Sequence, residues 1–252
     1  QVVTGDGATT GSALVDSVDF VMFTGSTAVG RKIAEQCARR FIPCSMELGG
    51  KNAAVVLDDA EFHRAIPAIV DGSIVGSGQT CVSYERLYVH GSIYDAFVPR
   101  LAEAFRAVKL GASITDMQQD MGPLISEAQF LKTKLHVDDA VSKGAKVLAG
   151  GTARPDLGPA FFEPTLLESV TNDMILHSTE TFGPVVSVYR IESDEQAISA
   201  CNDSAHGLHA SVFGRNTRRA HAVARRIQAG TVSINENYKA VWASMNATQG
   251  GF

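Results

Sequence analysis

Cysteine is scarce and poorly spaced for metal. The four cysteines, at 37, 44, 81 and 201, include no Cys-x-x-Cys pair and keep no zinc-like spacing with the seven histidines, so no metal site is expected. No run reaches the ~18 consecutive apolar residues of a membrane-spanning helix. An excess of positive charge is also lacking: the net charge is −5 and the basic residues are scattered, which removes the usual footprint of nucleic-acid binding. Repeats, low-complexity tracts, linkers and a recognisable leader are absent, and a reduced, cytoplasmic compartment is the expectation. The G-x-G-x-x-G fingerprint is missing, since only Gly25 and Gly30 stand in the relevant turn. A P-loop is missing too, because Arg31 and Lys32 replace the Lys-Ser/Thr that would supply a magnesium-binding hydroxyl.

What is present favours small-molecule chemistry. With 252 residues, 45% of them apolar, the chain can bury a sizeable core in one or two domains. Short β-rich runs alternate with amphipathic helical patterns, which predicts an α/β fold with a mainly parallel sheet. Strands are expected at 19–24, 41–47, 53–57, 86–89, 146–148, 161–167, 185–191, 210–213 and 231–234. Helices are expected over 27–40, 61–78, 127–143, 193–202 and 217–229, with a further one starting at the cap Ser92 and burying Ile93, Phe97, Leu101, Phe105 and Val108. Residues 111–123 and 235–252 are expected as loops.

Two segments carry chemistry. Cys81 lies in Gly78-Gln79-Thr80-Cys81, a setting unlike a helical apolar face, and Glu47 lies 34 positions earlier in Met46-Glu47-Leu48-Gly49-Gly50-Lys51-Asn52. A thiol attacks carbonyl carbon as thiolate, and a carboxylate in a small, apolar setting is suited to act as a base. Each has a plainer reading: loop cysteines are more often structural, and a lone glutamate more often pairs with a surface lysine. Cys37, Cys44 and Cys201 read as small buried hydrophobes. The turn Thr24-Gly25-Ser26-Thr27-Ala28-Val29-Gly30 lets backbone N–H groups and a helix N-terminus face a pyrophosphate. Read alone, it fits a plain strand-to-helix connection equally well.

Together with Glu180-Thr181-Phe182-Gly183-Pro184 and Asn202-Asp203-Ser204-Ala205-His206-Gly207-Leu208, these motifs, in this order along essentially the whole chain, resemble the NAD(P)-dependent aldehyde dehydrogenase superfamily. The resemblance implies a partial Rossmann-type cofactor domain over 1–48 and an α/β catalytic domain over 49–252. It makes Cys81 the covalent nucleophile and Glu47 the base that activates the hydrolytic water. It makes Gly25, Ser26, Gly30, Leu48, Glu180 and Phe182 cofactor residues, with NADP or NAD as cofactor and no metal. Within Asn202 to Leu208 it implies turn maintenance.

Starting at Gln1 and stopping at Phe252, the chain resembles an incomplete subunit of such an enzyme. Missing would be the first part of the cofactor domain, the oxyanion-hole asparagine, a cofactor-side lysine and the C-terminal oligomerisation strand. The fragment alone is then expected to be inactive, and its parent a homo-oligomer acting on a small aldehyde, without nucleic acid or membrane. Residues 140–151, 180–190 and 231–238 with Trp242 resemble the bacterial succinate-semialdehyde dehydrogenase group. Some relatives carry an arginine five residues before the nucleophile for the remote carboxylate, where this chain has Gly76. Asn235, Tyr238, Trp242 and Ser244 are candidates for the substrate tunnel. Other readings are an acylating dehydrogenase that passes the thioester to coenzyme A, a cysteine hydrolase with His206 or His209 as base, and a non-catalytic binding or assembly fragment.

Overall fold

A computed structural model describes residues 1–112 and 118–239, which divide by compactness into Gln1–Gly49 and Gly50–Phe252. The first unit is one β-α-β turn with a helical lead-in. A single π-turn at Gly7–Gly11, capped by Asp6, runs into α1 (Ser12–Ser17), then β1 (Val21–Thr24), α2 (Thr27–Arg40) and β2 (Cys44–Glu47). β1 and β2 are parallel, with Val21 opposite Cys44 and Thr24 opposite Glu47. Ser26 caps α2 through its Oγ, which accepts from the Val29 N–H at 3.4 Å. The helix ends at Phe41 in the left-handed region (φ 54°), with Arg39 and Arg40 in the last turn where the helix dipole favours cations.

The second unit holds β3 (Asn52–Val56), α3 (Phe62–Ile74), β4 (Tyr84–His90), α4 (Gly91–Arg106), α5 (Glu127–Ser142), β5 (Lys146–Ala149), β6 (Thr165–Glu168), α6 (Ile175–Ser178), β7 (Val185–Ile191), α7 (Asp194–Asn202), β8 (His209–Phe213), α8 (Thr217–Ala224) and β9 (Thr231–Ile234). The strands form one sheet in the order β5-β6-β7-β4-β3-β8-β9, in which only the β5–β6 pair is antiparallel. Helices cover both faces, as parallel sheets require. Along β3, Ala54 and Val56 join the core beneath α3 and α4, while Ala53 and Val55 join the opposite core beneath α7 and α8. A third core packs α5 against Phe162, Leu167 and Val185.

The structure departs from the sequence reading at several element ends. The helix expected over 61–78 stops at Ile74, because Gly76, Ser77 and Gly78 take φ of 62°, 59° and 70°, which no α-helix accommodates. The cap of α4 is His90, whose Nδ1 accepts from the Ser92 N–H at 3.3 Å; β4 runs to His90 and the helix starts at once, so Ser92 lies inside it. Val108 falls beyond α4, which ends at Arg106. The strand expected at 161–167 shortens to Thr165–Glu168, and Phe162 makes only an isolated bridge to Ala153. The helix expected over 217–229 ends at Ala224. α1 and α6 are elements that the sequence pattern did not mark. Within the loop 111–123, Leu110 bridges Met121, and residues 113–117 lie outside the described ones.

Leu101 is fully buried in the α3–α4 core. Leu101→Ala should therefore lower the unfolding free energy by about 2–5 kcal/mol, measured by urea titration. A change below about 0.5 kcal/mol would place that side chain at a surface.

Candidate active site

In the first unit, the Gly25 N–H donates to the Glu47 carbonyl at 3.0 Å, and the Gly30 N–H donates to the Ser26 carbonyl at 2.9 Å. A Cβ on Gly25 would lie 2.6 Å from the Phe23 ring, and one on Gly30 would lie 2.5 Å from Leu48 Cδ2. Both glycines thus have a packing duty: they let Phe23 and Leu48 close over the turn. Glu47 ends β2 and is half-buried.

In the second unit, the three consecutive left-handed residues after α3 reverse the chain and deliver Cys81. Glycine adopts this region without a Cβ penalty; Ser77 does so with its Oγ donating to Gly122 O (2.9 Å) and Pro123 O (3.2 Å). A Cβ on Gly78 would lie 2.4 Å from the backbone of Gly183, so only glycine permits this approach of the cysteine loop to the loop 179–184. Cys81 itself is half-buried. Its carbonyl accepts from Asn52 Nδ2 at 2.7 Å, and the same amide donates to Ser83 O at 2.9 Å while Asn52 Oδ1 accepts from the His209 N–H at 3.0 Å. One buried amide from β3 therefore fixes the Cys81 loop and the start of β8.

The loop 179–184 is held on several sides. Glu85, on β4, accepts from the Thr181 N–H through both carboxylate oxygens (2.9 Å each) and from the Phe182 N–H (2.9 Å). Gln129, on α5, donates to the carbonyls of Thr181 (3.0 Å) and Phe182 (2.7 Å). Lys51 forms a buried ion pair with Glu85 and donates to Thr179 O at 2.9 Å. Phe182 is consequently held at φ 57°, a left-handed conformation that a bulky residue keeps only when its surroundings impose it. Glu180 is half-buried, and one carboxylate oxygen accepts from the Gly50 N–H at 3.0 Å. Burial raises its pKa, partly offset by that hydrogen bond. Burial likewise lowers the pKa of Lys51, with Glu85 acting in the other sense.

The sequence reading singled out Cys81, Glu180 and Phe182, which the fold brings to one region of the second unit. It passed over Lys51, Asn52, Glu85 and Gln129. A signal existed for one of them: a Glu-Arg pair inside the otherwise apolar strand Tyr84–His90 requires partners for both charges. Arg86 finds them in the carbonyls of Lys51, Ala200 and Cys201. Cys37 and Cys201 are buried as expected, with burial pushing the Cys201 thiol up to about 12, whereas Cys44 is only half-buried. His209 is a poor general base: it is buried, its ring contacts Thr231 Oγ1 (2.9 Å) and Ser211 Oγ (3.3 Å), and burial pushes its pKa down to about 4.

Of the tunnel candidates, Asn235 exchanges two hydrogen bonds with Gly214 and Tyr238 is buried edge-on against His209. Trp242 and Ser244 lie outside the described residues. Asn202 does hold a turn, donating to Arg226 O at 2.9 Å and accepting from the Gln228 N–H at 2.8 Å. Among the described residues, no cluster of three or more His, Cys, Asp or Glu could hold a metal ion, and no helix is long and apolar enough to cross a membrane.

Comparison with known proteins agrees with this architecture. The sequence profile of the aldehyde dehydrogenase family matches residues 1–252. A Mycobacterium ulcerans protein named "Putative succinate-semialdehyde dehydrogenase NADP(+) 2" is 45% identical over 250 residues, covering 99% of this chain and 48% of the relative. A Mycolicibacterium smegmatis protein with the same name, without the final number, is 46% identical with the same coverage. The chain spans about half the length of the curated relatives it matches. Among solved structures, lactaldehyde dehydrogenase from Escherichia coli superposes with a TM-score of 0.89 at 39% identity, over 94% of this chain and 50% of that one. Betaine aldehyde dehydrogenase from Staphylococcus aureus, in complex with NAD+, does so with 0.89 at 35% identity, over 93% and 47%.

Asn52→Ala should cost about 1–3 kcal/mol for each buried group it leaves unpaired, lowering Tm and changing the alkylation rate of Cys81 by iodoacetamide. An unaltered thiol rate would show that the amide does not govern the loop. Acid should destabilise the fold through His136 and His209, both held near pKa 4 by burial. Their folded values lie below the ordinary 6.5, so the stability they contribute is full above pH 6.5 and declines as pH falls towards 4. Urea midpoints across that window should fall with pH for the natural chain and less steeply for His209→Gln.

Proposed function

The chain belongs to the aldehyde dehydrogenase family, and from that premise we propose that it forms part of an enzyme oxidising an aldehyde to the carboxylic acid with NADP+ or NAD+. The observation that carries the proposal is the packing of the Cys81 loop against the loop of Glu180 and Phe182 through Gly78 and Gly183. A thiol on one loop and a carboxylate on the loop packed against it suit a site where a dinucleotide ribose meets a carbonyl substrate. In this reading residues 1–48 are the end of the dinucleotide domain, with Gly25, Ser26, Gly30 and Leu48 on its cofactor side, and 49–252 the catalytic domain.

Cys81 as thiolate adds to the aldehyde carbon, forming a C–S bond and moving the carbonyl electron pair onto oxygen. The main-chain N–H of Cys81 is one donor to that oxyanion. A bound NADP+ or NAD+ would supply the hydride acceptor, and loss of hydride from that carbon would leave Cys81 carrying a thioester. Glu47 then takes a proton from water, the hydroxide adds to the thioester carbon, and the C–S bond breaks to release the acid and the thiolate. Retention of Glu47 favours water over coenzyme A as acceptor.

Succinate semialdehyde is the proposed substrate, supported by the names of the relatives at 45–46% identity. Its carboxylate needs a cation or several donors. Position 76 does not supply one: Gly76 sits at φ 62°, where an arginine would be strained. The group that binds the carboxylate must come from elsewhere in the enzyme.

The test is NAD(P)H formation by the full-length enzyme with succinate semialdehyde against acetaldehyde, hexanal and benzaldehyde. Cys81→Ala should abolish it, and Glu47→Gln should slow turnover by about 10²–10⁴-fold while a thioester accumulates. Preference for a neutral aldehyde would discard the substrate and keep the mechanism. Undiminished turnover in Cys81→Ala would discard the mechanism.

A further inference from the structure

The ion pair of Lys51 and Glu85 is out of reach of solvent, each residue 3% exposed. A buried pair of this kind is weak evidence for stability, because apolar side chains of similar volume often fold as well. Its hydrogen bonds show what an apolar pair could not do. Glu85 collects two consecutive N–H groups, those of Thr181 and Phe182, and Lys51 binds the carbonyl of Thr179. The residue between them in sequence, Glu180, is thereby presented with its carboxylate on the Gly50 N–H, next in the chain to Lys51. Phe182 is kept left-handed by the same grip. Nothing in the chemistry assigned to Cys81 and Glu47 uses either charge.

We infer that Glu85, paired with Lys51, is a positioning residue for the cofactor: it sets the 179–182 loop so that Glu180 and Phe182 stand ready for the nicotinamide riboside, without itself touching it. The inference rests on the proposed function, in which those two residues face the cofactor. Electrostatics are consistent with a dedicated device. Lys51 neutralises Glu85, and Glu85 lies close enough to Glu180 to disfavour its charged form. The carboxylate that would hold the ribose therefore depends on the pair for its place. Gln129 supports the opposite edge of the loop through the carbonyls of Thr181 and Phe182, while the N–H groups of the same two residues go to Glu85.

The experiment uses the full-length enzyme and measures the Kd for NADP+ and NAD+, kcat, both KM values, Tm, and the alkylation rate of Cys81 without cofactor. In Glu85→Gln and in the apolar pair Lys51→Met with Glu85→Leu, cofactor Kd and KM should rise roughly tenfold, the size expected when members of one hydrogen-bonded network are uncoupled. The aldehyde KM and the thiol alkylation rate should change by less than about twofold, a split that general loosening of the fold would not give. If Glu85 acts through Glu180, adding Glu85→Gln to Glu180→Gln should weaken cofactor binding less than it does in the natural background. Should the apolar pair fail to fold, the near-isosteric Glu85→Gln carries the same expectations. Unchanged cofactor affinity in a folded variant, or full additivity with Glu180→Gln, would overturn the inference while leaving the functional reading intact. A natural enzyme that binds neither nucleotide would overturn that reading first, and this inference with it.

Discussion

The contact on which the arrangement of the second unit's candidate loops depends is the buried salt bridge between Lys51 and Glu85. It joins three stretches far apart in sequence: the start of β3, the strand that follows the cysteine loop, and the loop carrying Glu180 and Phe182. Removing one partner of such a pair strands a charge in low dielectric, at a cost of about 3–5 kcal/mol. The neighbouring residues extend the same knot. Gly50 binds Glu180, Asn52 binds the Cys81 and Ser83 carbonyls, and the Lys51 carbonyl receives the Arg86 guanidinium. Three consecutive residues at one strand end thus reach both the loop of Cys81 and the loop of Glu180 and Phe182.

That concentration follows from the sheet. In a parallel sheet, loops gather at the strand ends, and here the loops of Cys81 and Glu180 meet where β4 and β7 begin, beside the first residues of β3 and β8. Here β3 sits between β4 and β8, so the residue that opens it can touch both neighbours, and Asn52 does. The framework beneath is rigid because both faces of β3 and β4 are covered. The two loops above it are held by hydrogen bonds, the cysteine loop through Ser77 and Asn52 and the 179–184 loop through Glu85 and Gln129. A thiol nucleophile benefits from such a setting, since the geometry of attack is settled before substrate arrives.

The apolar period of α4 and the continuous runs of β3 and β7 were legible because burial on a helix stripe or on both faces of a strand leaves a local imprint. Element ends were legible only in part. Cap preference suggested Ser92, but strand pairing carried β4 to His90 and set the helix register. The break at Ile74 needed the approach of Gly78 to Gly183, a contact 105 positions apart.

From the chain alone came the alternating α/β order, the family motifs around Gly25, Glu47, Cys81 and Glu180, and hence the class of chemistry, because glycines, a loop thiol and acidic residues declare themselves by type and spacing. Only the tertiary structure decided how the second unit's motifs are joined. Lys51, Asn52, Glu85 and Gln129 read in sequence as ordinary polar residues, and their roles arise when burial removes water and obliges each donor and acceptor to find a partner across the fold.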